Sequence, residues 1–200
     1  MEQNVGNFNR AADMFSQPQV QKASAAIGYD NGRVPYPDKR CRDYYGMGIE
    51  DVWTINYQGH NVTVSIVDIG VKMNHTDLYI NFDTKLSYNY VDDNNNANPP
   101  DHTSYQERFD IEHGSKCAGL VASEKNNQFY SAGVAPTARL ASIRCMDENG
   151  ESTEARLVSA LRHKDSDIDV YSSSWASPDH PFAVERTYHL RALKEGVEKG

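Results

Sequence analysis

Two side chains in this sequence have the types and settings that proton-transfer chemistry needs. Asp68 closes the run Asn61-Val-Thr-Val-Ser-Ile-Val-Asp68 and is followed by Ile69 and Gly70. His113 lies within Asp110-Ile-Glu-His113-Gly114-Ser-Lys-Cys117-Ala-Gly119. An imidazole titrates near neutrality and works as a general base, best when a buried carboxylate fixes one ring nitrogen and the other faces a nucleophile. Each residue alone has plainer readings. Asp68 also suits a ligand or the cap of the following turn, and a histidine before a glycine also suits a cap or a packing contact. As a pair they point to acid–base work.

Such a pair must be carried by a strand and a helix. Val62, Val64 and Ile66 fall on one face of the first run, and β-branched Thr63 and Val67 fill the positions between them. That pattern predicts a buried parallel strand with Asp68 at its C-terminal end, where open α/β sheets place their chemistry. From Gly114 to Ser123, Cys117, Leu120 and Val121 recur at helical spacing, so His113 would stand at a helix N-terminus. Further strands are predicted over Leu86–Val91, Leu140–Ile143 and Ile168–Ser172. Ile49, Val52, Trp53 and Ile55 line one side of a short helix. Glu151 and Glu154 suit the first turn of a helix carrying Leu157, Val158 and Leu161. Val184–Lys199 reads as a helix with Leu190, Leu193 and Val197 on one face, and Asp92–Asp101 as an exposed loop.

Strands and helices alternate, which implies right-handed crossovers and an α/β fold: a mostly parallel sheet with helices on both faces. Residues 1–45 read as a leader or loop-rich N-terminal segment and residues 46–200 as the domain, with a further strand expected after Gly200. A sheet lacking that strand has an open edge, so the isolated chain is expected to be unstable or to aggregate.

Composition narrows the function classes. The chain has 200 residues, enough for one domain with a sizeable core, and 38% are hydrophobic. Its mean hydropathy of -0.70 fits a polar protein, and no apolar run approaches the ~20 residues of a membrane span. Met1–Gln21 has no apolar core of a signal peptide, so the chain is cytosolic or lacks its true N-terminus. A net charge of -8 and a pI near 5.3 argue against nucleic acid as a partner. Cys41, Cys117 and Cys145 are too few and too scattered for a disulfide framework or a zinc site. Asn61-Val-Thr63 and Asn74-His-Thr76 are glycosylation sequons.

Four segments together carry a family resemblance: Val64-Ser-Ile-Val-Asp68-Ile-Gly70, Asn74-His-Thr-Asp77-Leu78, His113-Gly-Ser-Lys-Cys-Ala-Gly119 and Tyr171-Ser-Ser-Ser-Trp175. In order and spacing they resemble the subtilisin-type serine proteases, and within them the kexin/furin proprotein convertases. The resemblance covers about Ile49–Gly200, the N-terminal half of a convertase catalytic domain, so the fold is expected to be a truncated subtilisin-like one. Cys117 after His113 favours the convertase branch. The resemblance implies that Asp68 is the triad acid and His113 the triad base, in the chain order of subtilisin. The serine nucleophile and the oxyanion-hole asparagine would lie beyond Gly200, so the chain alone is expected to be inactive.

By the same resemblance Ser174 and Trp175 belong to the strand that pairs with substrate backbone. Asp179, Asp110, Glu154 and Glu185 match acids that line pockets for basic residues. Calcium is implied, with Asp77 and Asn127 as ligands and Asp38 as a weak third match. Partners would be proproteins or peptides with basic residues and a prodomain, in the secretory pathway or outside the cell. The chain departs from the family at Ile69, where an acid of one pocket is replaced, at Ala176 and Ser177 in the substrate strand, and at Tyr130 and Ser131 beside the calcium loop. Those departures motivate an alternative, a catalytically inactive convertase-like protein that binds basic peptides or an inhibitor.

Overall fold

The computed structural model describes residues 49–101, 111–128, 132–175 and 187–199. The expected leader over 1–45, and the readings of Asp38, Cys41, Asp110, Tyr130, Ser131, Ala176, Ser177, Asp179 and Glu185, lie outside the described residues.

In chain order the elements are helix α1 (Ile49–Thr54), strand β1 (Thr63–Asp68), strand β2 (Tyr88–Asn89), helix α2 (His113–Ala122), strand β3 (Arg139–Arg144), helix α3 (Glu154–Leu161), strand β4 (Val170–Ser172) and helix α4 (Thr187–Lys199). The four strands form one sheet in the order β2-β3-β1-β4. Every pairing is parallel, with Asp68 opposite Arg144 at one end of the β1–β3 ladder and Val64 opposite Val170 in β4. All six residues of β1 are buried. That is what a central parallel strand requires, since both of its faces are covered.

The alternation of β1 divides the core in two. Val64 and Ile66 pack with Leu140, Cys117, Ala118 and Ala122, which places α2 on one face. Val67 packs with Ile143, Leu157 and Ala160, which places α3 on the other. Side-chain period two in the strand meets period 3.6 in each helix. Helix α1 is held from outside this core: the Trp53 indole N–H donates to the Val134 carbonyl at 2.9 Å, and Lys125 Nζ lies 4.9 Å from the Trp53 ring centre.

Three expectations need correction. The strand over Leu86–Val91 is only Tyr88–Asn89. The Asn89 carboxamide oxygen accepts from the backbone N–H of Val91 (2.9 Å) and Asp92 (3.1 Å), so a side-chain turn competes with the ladder and ends it. The Asp92–Asp101 loop is not wholly exposed. Ala97 is fully buried, and its carbonyl accepts from Val71 N–H at 3.1 Å and from the Ser142 hydroxyl at 2.8 Å. Glu151 lies before α3, because Thr153 is the N-cap and accepts from Arg156 N–H at 3.2 Å. The helical spacing of Leu190, Leu193 and Val197 holds in α4, but that face is exposed. Helix α4 instead buries Ala192, and Glu195 meets Arg162 at the end of α3 at 2.8 Å.

A half-buried histidine joins the end of α3 to β2. The His163 Nδ1 lies 2.9 Å from the Tyr90 hydroxyl, its ring stacks on Tyr88, and its carbonyl accepts from the Tyr171 hydroxyl at 2.7 Å. Burial, then the neighbouring Lys164 charge, push its pKa below the ordinary imidazole value. A group whose folded pKa is depressed takes up its proton first in the unfolded chain. The fold therefore loses stability as pH drops below about 6.5, the value of a free imidazole, until the lowered folded pKa is passed. Urea midpoints between pH 7 and pH 5 should fall in the native chain and fall less in His163→Phe. Equal slopes would show that His163 does not titrate in that range.

Candidate active site

The C-terminal end of β1 and the N-terminus of α2 bring Asp68 and His113 into contact. The His113 Nδ1–H donates to both carboxylate oxygens of Asp68, at 2.9 Å to Oδ1 and 2.8 Å to Oδ2. Asp68 Oδ1 also accepts from the backbone N–H of Ile69 at 2.8 Å. Asp68 is 1% exposed, while the His113 side chain keeps 19% of its surface open. A buried carboxylate thus fixes the tautomer, and the partly open ring turns Nε2 away from it.

Backbone geometry makes this approach possible. Gly70 leaves β1 at φ +123°, a conformation that side chains rarely adopt, and a Cβ there would come within 2.8 Å of Asn98 and Pro99 backbone atoms. A Cβ on Gly114 would stand 2.4 Å from the Gly70 carbonyl oxygen and 3.0 Å from Asp68 Cβ. The loop after β1 is tied down by Lys72 N–H to Ser115 Oγ (3.0 Å) and Met73 N–H to Asn98 Oδ1 (3.1 Å). Arg144, opposite Asp68 in the sheet register, pairs through Nη1 with Asp92 at 3.0 Å.

Burial opposes a charge on His113, but the hydrogen bond to Asp68, aided by the Cys117 contact and the Asp68 charge, overrides it and raises the imidazole to about 10. The pair can therefore stabilise a positive charge on the ring, which a general base acquires once it has taken a proton.

Cys117 is a site neighbour that reading the sequence for nucleophile and base did not place. Its sulfur lies 3.9 Å from His113 Nε2. The signal was present, because residues four apart on a helix share a face. Ligand atoms of Asp68, His113 and Cys117 lie within 4.8 Å of one another. Both Asp68 oxygens face the ring nitrogen, so this cluster is a hydrogen-bonded pair with a thiol beside it. A second buried thiol, Cys145, sits under Asp68, its N–H donating to the Asp68 carbonyl at 3.0 Å. Burial, then the Asp68 charge, push that thiol up to about 12, which keeps it protonated and inert.

The other expected site residues separate into groups. Trp175 is half-buried against the α3 side of the core, and its indole N–H donates to the Val67 carbonyl at 2.9 Å. That bond anchors the segment after β4 to β1 and leaves Ser174 exposed. Glu154 is half-buried at the start of α3. Ile69 is buried with Met146 and Leu157 in the same core cluster. Asp77 and Asn127 meet on the α2 side of the sheet. The Asp77 carboxylate, buried, accepts from the Asn127 carboxamide at 2.6 Å, and the Asp77 carbonyl accepts from Glu124 N–H at 2.9 Å.

A parallel sheet whose central strand ends in an aspartate, fixed to a histidine at the start of a packed helix, defines an α/β domain with an acid–imidazole pair at the C-terminal ends of its strands. A profile of the subtilase family matches residues 59–198, and the chain belongs to that family. It is 34% identical over 187 residues to proprotein convertase subtilisin/kexin type 6 of Homo sapiens, covering 92% of this chain and 19% of that protein. It is 35% identical over 156 residues to furin of Bos taurus, covering 77% of this chain and 19% of that protein. The chain thus spans about a fifth of the length of these relatives. Among solved structures, a serine protease of Aeromonas sobria in complex with its chaperone superposes with a TM-score of 0.54 at 25% identity, over 69% of this chain and 22% of that one. A cold-adapted subtilisin-like serine proteinase superposes with a TM-score of 0.55 over 72% of this chain and 45% of that one, and at 18% identity it speaks for the fold.

Proposed function

We propose that this chain is the acid–base portion of a serine endopeptidase of the convertase type, which cleaves after basic residues in proproteins or peptides. The observation that carries the reading is the double contact of His113 Nδ1 with a carboxylate that is 1% exposed. In the reaction His113 Nε2 takes the proton of a serine hydroxyl and returns it to the leaving amine, while Asp68 keeps the ring in the required tautomer and stabilises its charge. The serine and the oxyanion donor come from the part of the domain that follows the matched residues. The segment at Ser174 and Trp175 extends β4 toward an incoming peptide strand, with the Trp175–Val67 bond holding it in line with the sheet.

The test uses the full-length product. A fluorophosphonate probe should label it, a fluorogenic peptide ending in paired arginines should be cleaved, and His113→Ala should abolish both. A full-length protein inert to both reagents overturns the endopeptidase reading. Ile69 favours a second reading in that event, since an apolar, buried residue stands where the family has a pocket acid. The chain would then be an inactive convertase-like protein that binds basic peptides or an inhibitor, and binding of a dibasic peptide by titration calorimetry decides it.

Calcium belongs to the same proposal. A buried carboxylate facing a carboxamide is a donor set that suits a hard cation, and the left-handed residues Asn126 (φ 70°) and Gln128 (φ 68°) flank Asn127 in a tight loop. To serve as a ligand, Asn127 would present its amide oxygen in place of the nitrogen. The cation would tie the loop after α2 to the Asp77 turn. With calcium at a hundred times its dissociation constant, binding adds about 2.7 kcal/mol, so the melting temperature should rise by about 5–10 °C. Asp77→Ala should remove that rise, and a melt indifferent to calcium and chelator would end the assignment. The secretory pathway is the compartment this reading requires, with a prodomain as a further partner. No helix among the described residues is long and apolar enough to cross a membrane.

A further inference from the structure

We propose that Asn74 is an acceptor for N-linked glycan, in the exposed turn that follows the strand ending in Asp68. The inference rests on the secretory reading above. Asn74, His75 and Thr76 form an acceptor sequon, and all three residues are exposed in the turn that joins β1 to Asp77. The Asn74 carboxamide makes no hydrogen bond to the described residues, so folding does not engage it. The stem below the turn is fixed at both ends, by Val71 N–H to Ala97 O (3.1 Å) and by Asp77 N–H to His75 Nδ1 (3.2 Å). The acceptor is thus presented on a rigid base.

The second sequon provides an internal contrast. Asn61 is exposed, but its Thr63 is 5% exposed inside β1, where its N–H donates to Asp169 at 2.8 Å. Folding therefore hides a required hydroxyl at Asn61 and leaves the one at Asn74 accessible. The chemistry is a group transfer from a polyprenyl-pyrophosphate-linked oligosaccharide. The carboxamide nitrogen of Asn74 bonds to the anomeric carbon, the bond from that carbon to the pyrophosphate oxygen breaks, and the amide proton goes to the transferase base. Lys72 N–H donates to Ser115 Oγ at 3.0 Å in the first turn of α2, so the turn that carries Asn74 is tied to the helix that bears His113.

The full chain, secreted from a eukaryotic host behind an added signal sequence, tests the inference. Peptide N-glycosidase should shift its mobility and leave aspartate at position 74 in the released peptide. Asn74→Gln and Thr76→Val should abolish the shift at that site, and Thr76→Ser should retain it. Secreted, folded protein with Asn74 unmodified overturns the inference, whatever the state of Asn61. If the glycan forms here but protein from its natural source lacks it, Asn74 is a competent acceptor and the secretory reading fails instead.

Discussion

Asp68→Asn should move the titration of His113 from about 10 down to, or below, the ordinary imidazole value of about 6.5. The substitution preserves shape and keeps an oxygen for the Ile69 N–H, which now bonds to Asp68 Oδ1. What it removes is the charge and the second acceptor on the ring nitrogen. An amide N–H facing His113 Nδ1 makes that nitrogen the acceptor and moves the proton to Nε2, the position that must be free to take one from a nucleophile. In full-length protein the cost to turnover should be about 10⁴-fold, the scale seen when a triad acid is replaced this way. The same full-length protein gives an independent readout through the ring resonances of His113. A raised folded pKa contributes stability that is complete below the unfolded value near 6.5 and is lost as pH climbs through about 10. That contribution should be absent in the variant. An unchanged His113 titration would mean that Asp68 is not its partner in solution.

Much of this arrangement was legible before any coordinates. The alternation from Val62 to Val67 fixes a strand buried on both faces, and strand-end chemistry then singles out Asp68. The Cys117, Leu120, Val121 spacing gives α2 and puts His113 at its first residue. Side-chain competition and tertiary burial were harder to read. Nothing in the apolar pattern of Leu86–Val91 shows that the Asn89 carboxamide will capture two backbone N–H groups and turn the chain. Nothing in a polar loop shows that Ala97 is buried as the acceptor for Val71 and Ser142. In α4 the helical spacing identifies the apolar stripe correctly but does not say whether another element covers it, and the stripe is exposed. Thr153 was legible in principle as an N-cap, yet the acidic pair Glu151 and Glu154 drew the start of α3 too early.

Gly114→Ala should be a strongly damaging change despite adding a single methyl group. The added methyl would sit 2.4 Å from the Gly70 carbonyl oxygen, 3.0 Å from Asp68 Cβ and 3.2 Å from Asp68 Cγ. The first contact is with a backbone oxygen, which cannot swing aside as a flexible side chain would, and the space beside Gly70 is already filled by Asn98 and Pro99 backbone. Relief requires α2 to lift from the end of β1, which opens the His113–Asp68 contact and loosens the packing of Ala118 and Ala122 on Val64 and Ile66. Overpacking of this kind costs about 3 kcal/mol, which lowers the melting temperature by about 6–12 °C in a chain of this size. Gly119→Ala, in the same helix, is the control. Its nearest obstacle is the Ser123 hydroxyl at 3.3 Å, and alanine is the better helix former by about 1 kcal/mol, so that variant should melt at or above the native temperature. If both variants melt alike, α2 does not press on the strand end as described. If only Gly114→Ala falls, and the His113 titration drops with it, close contact between helix and strand is what holds the acid and the base together.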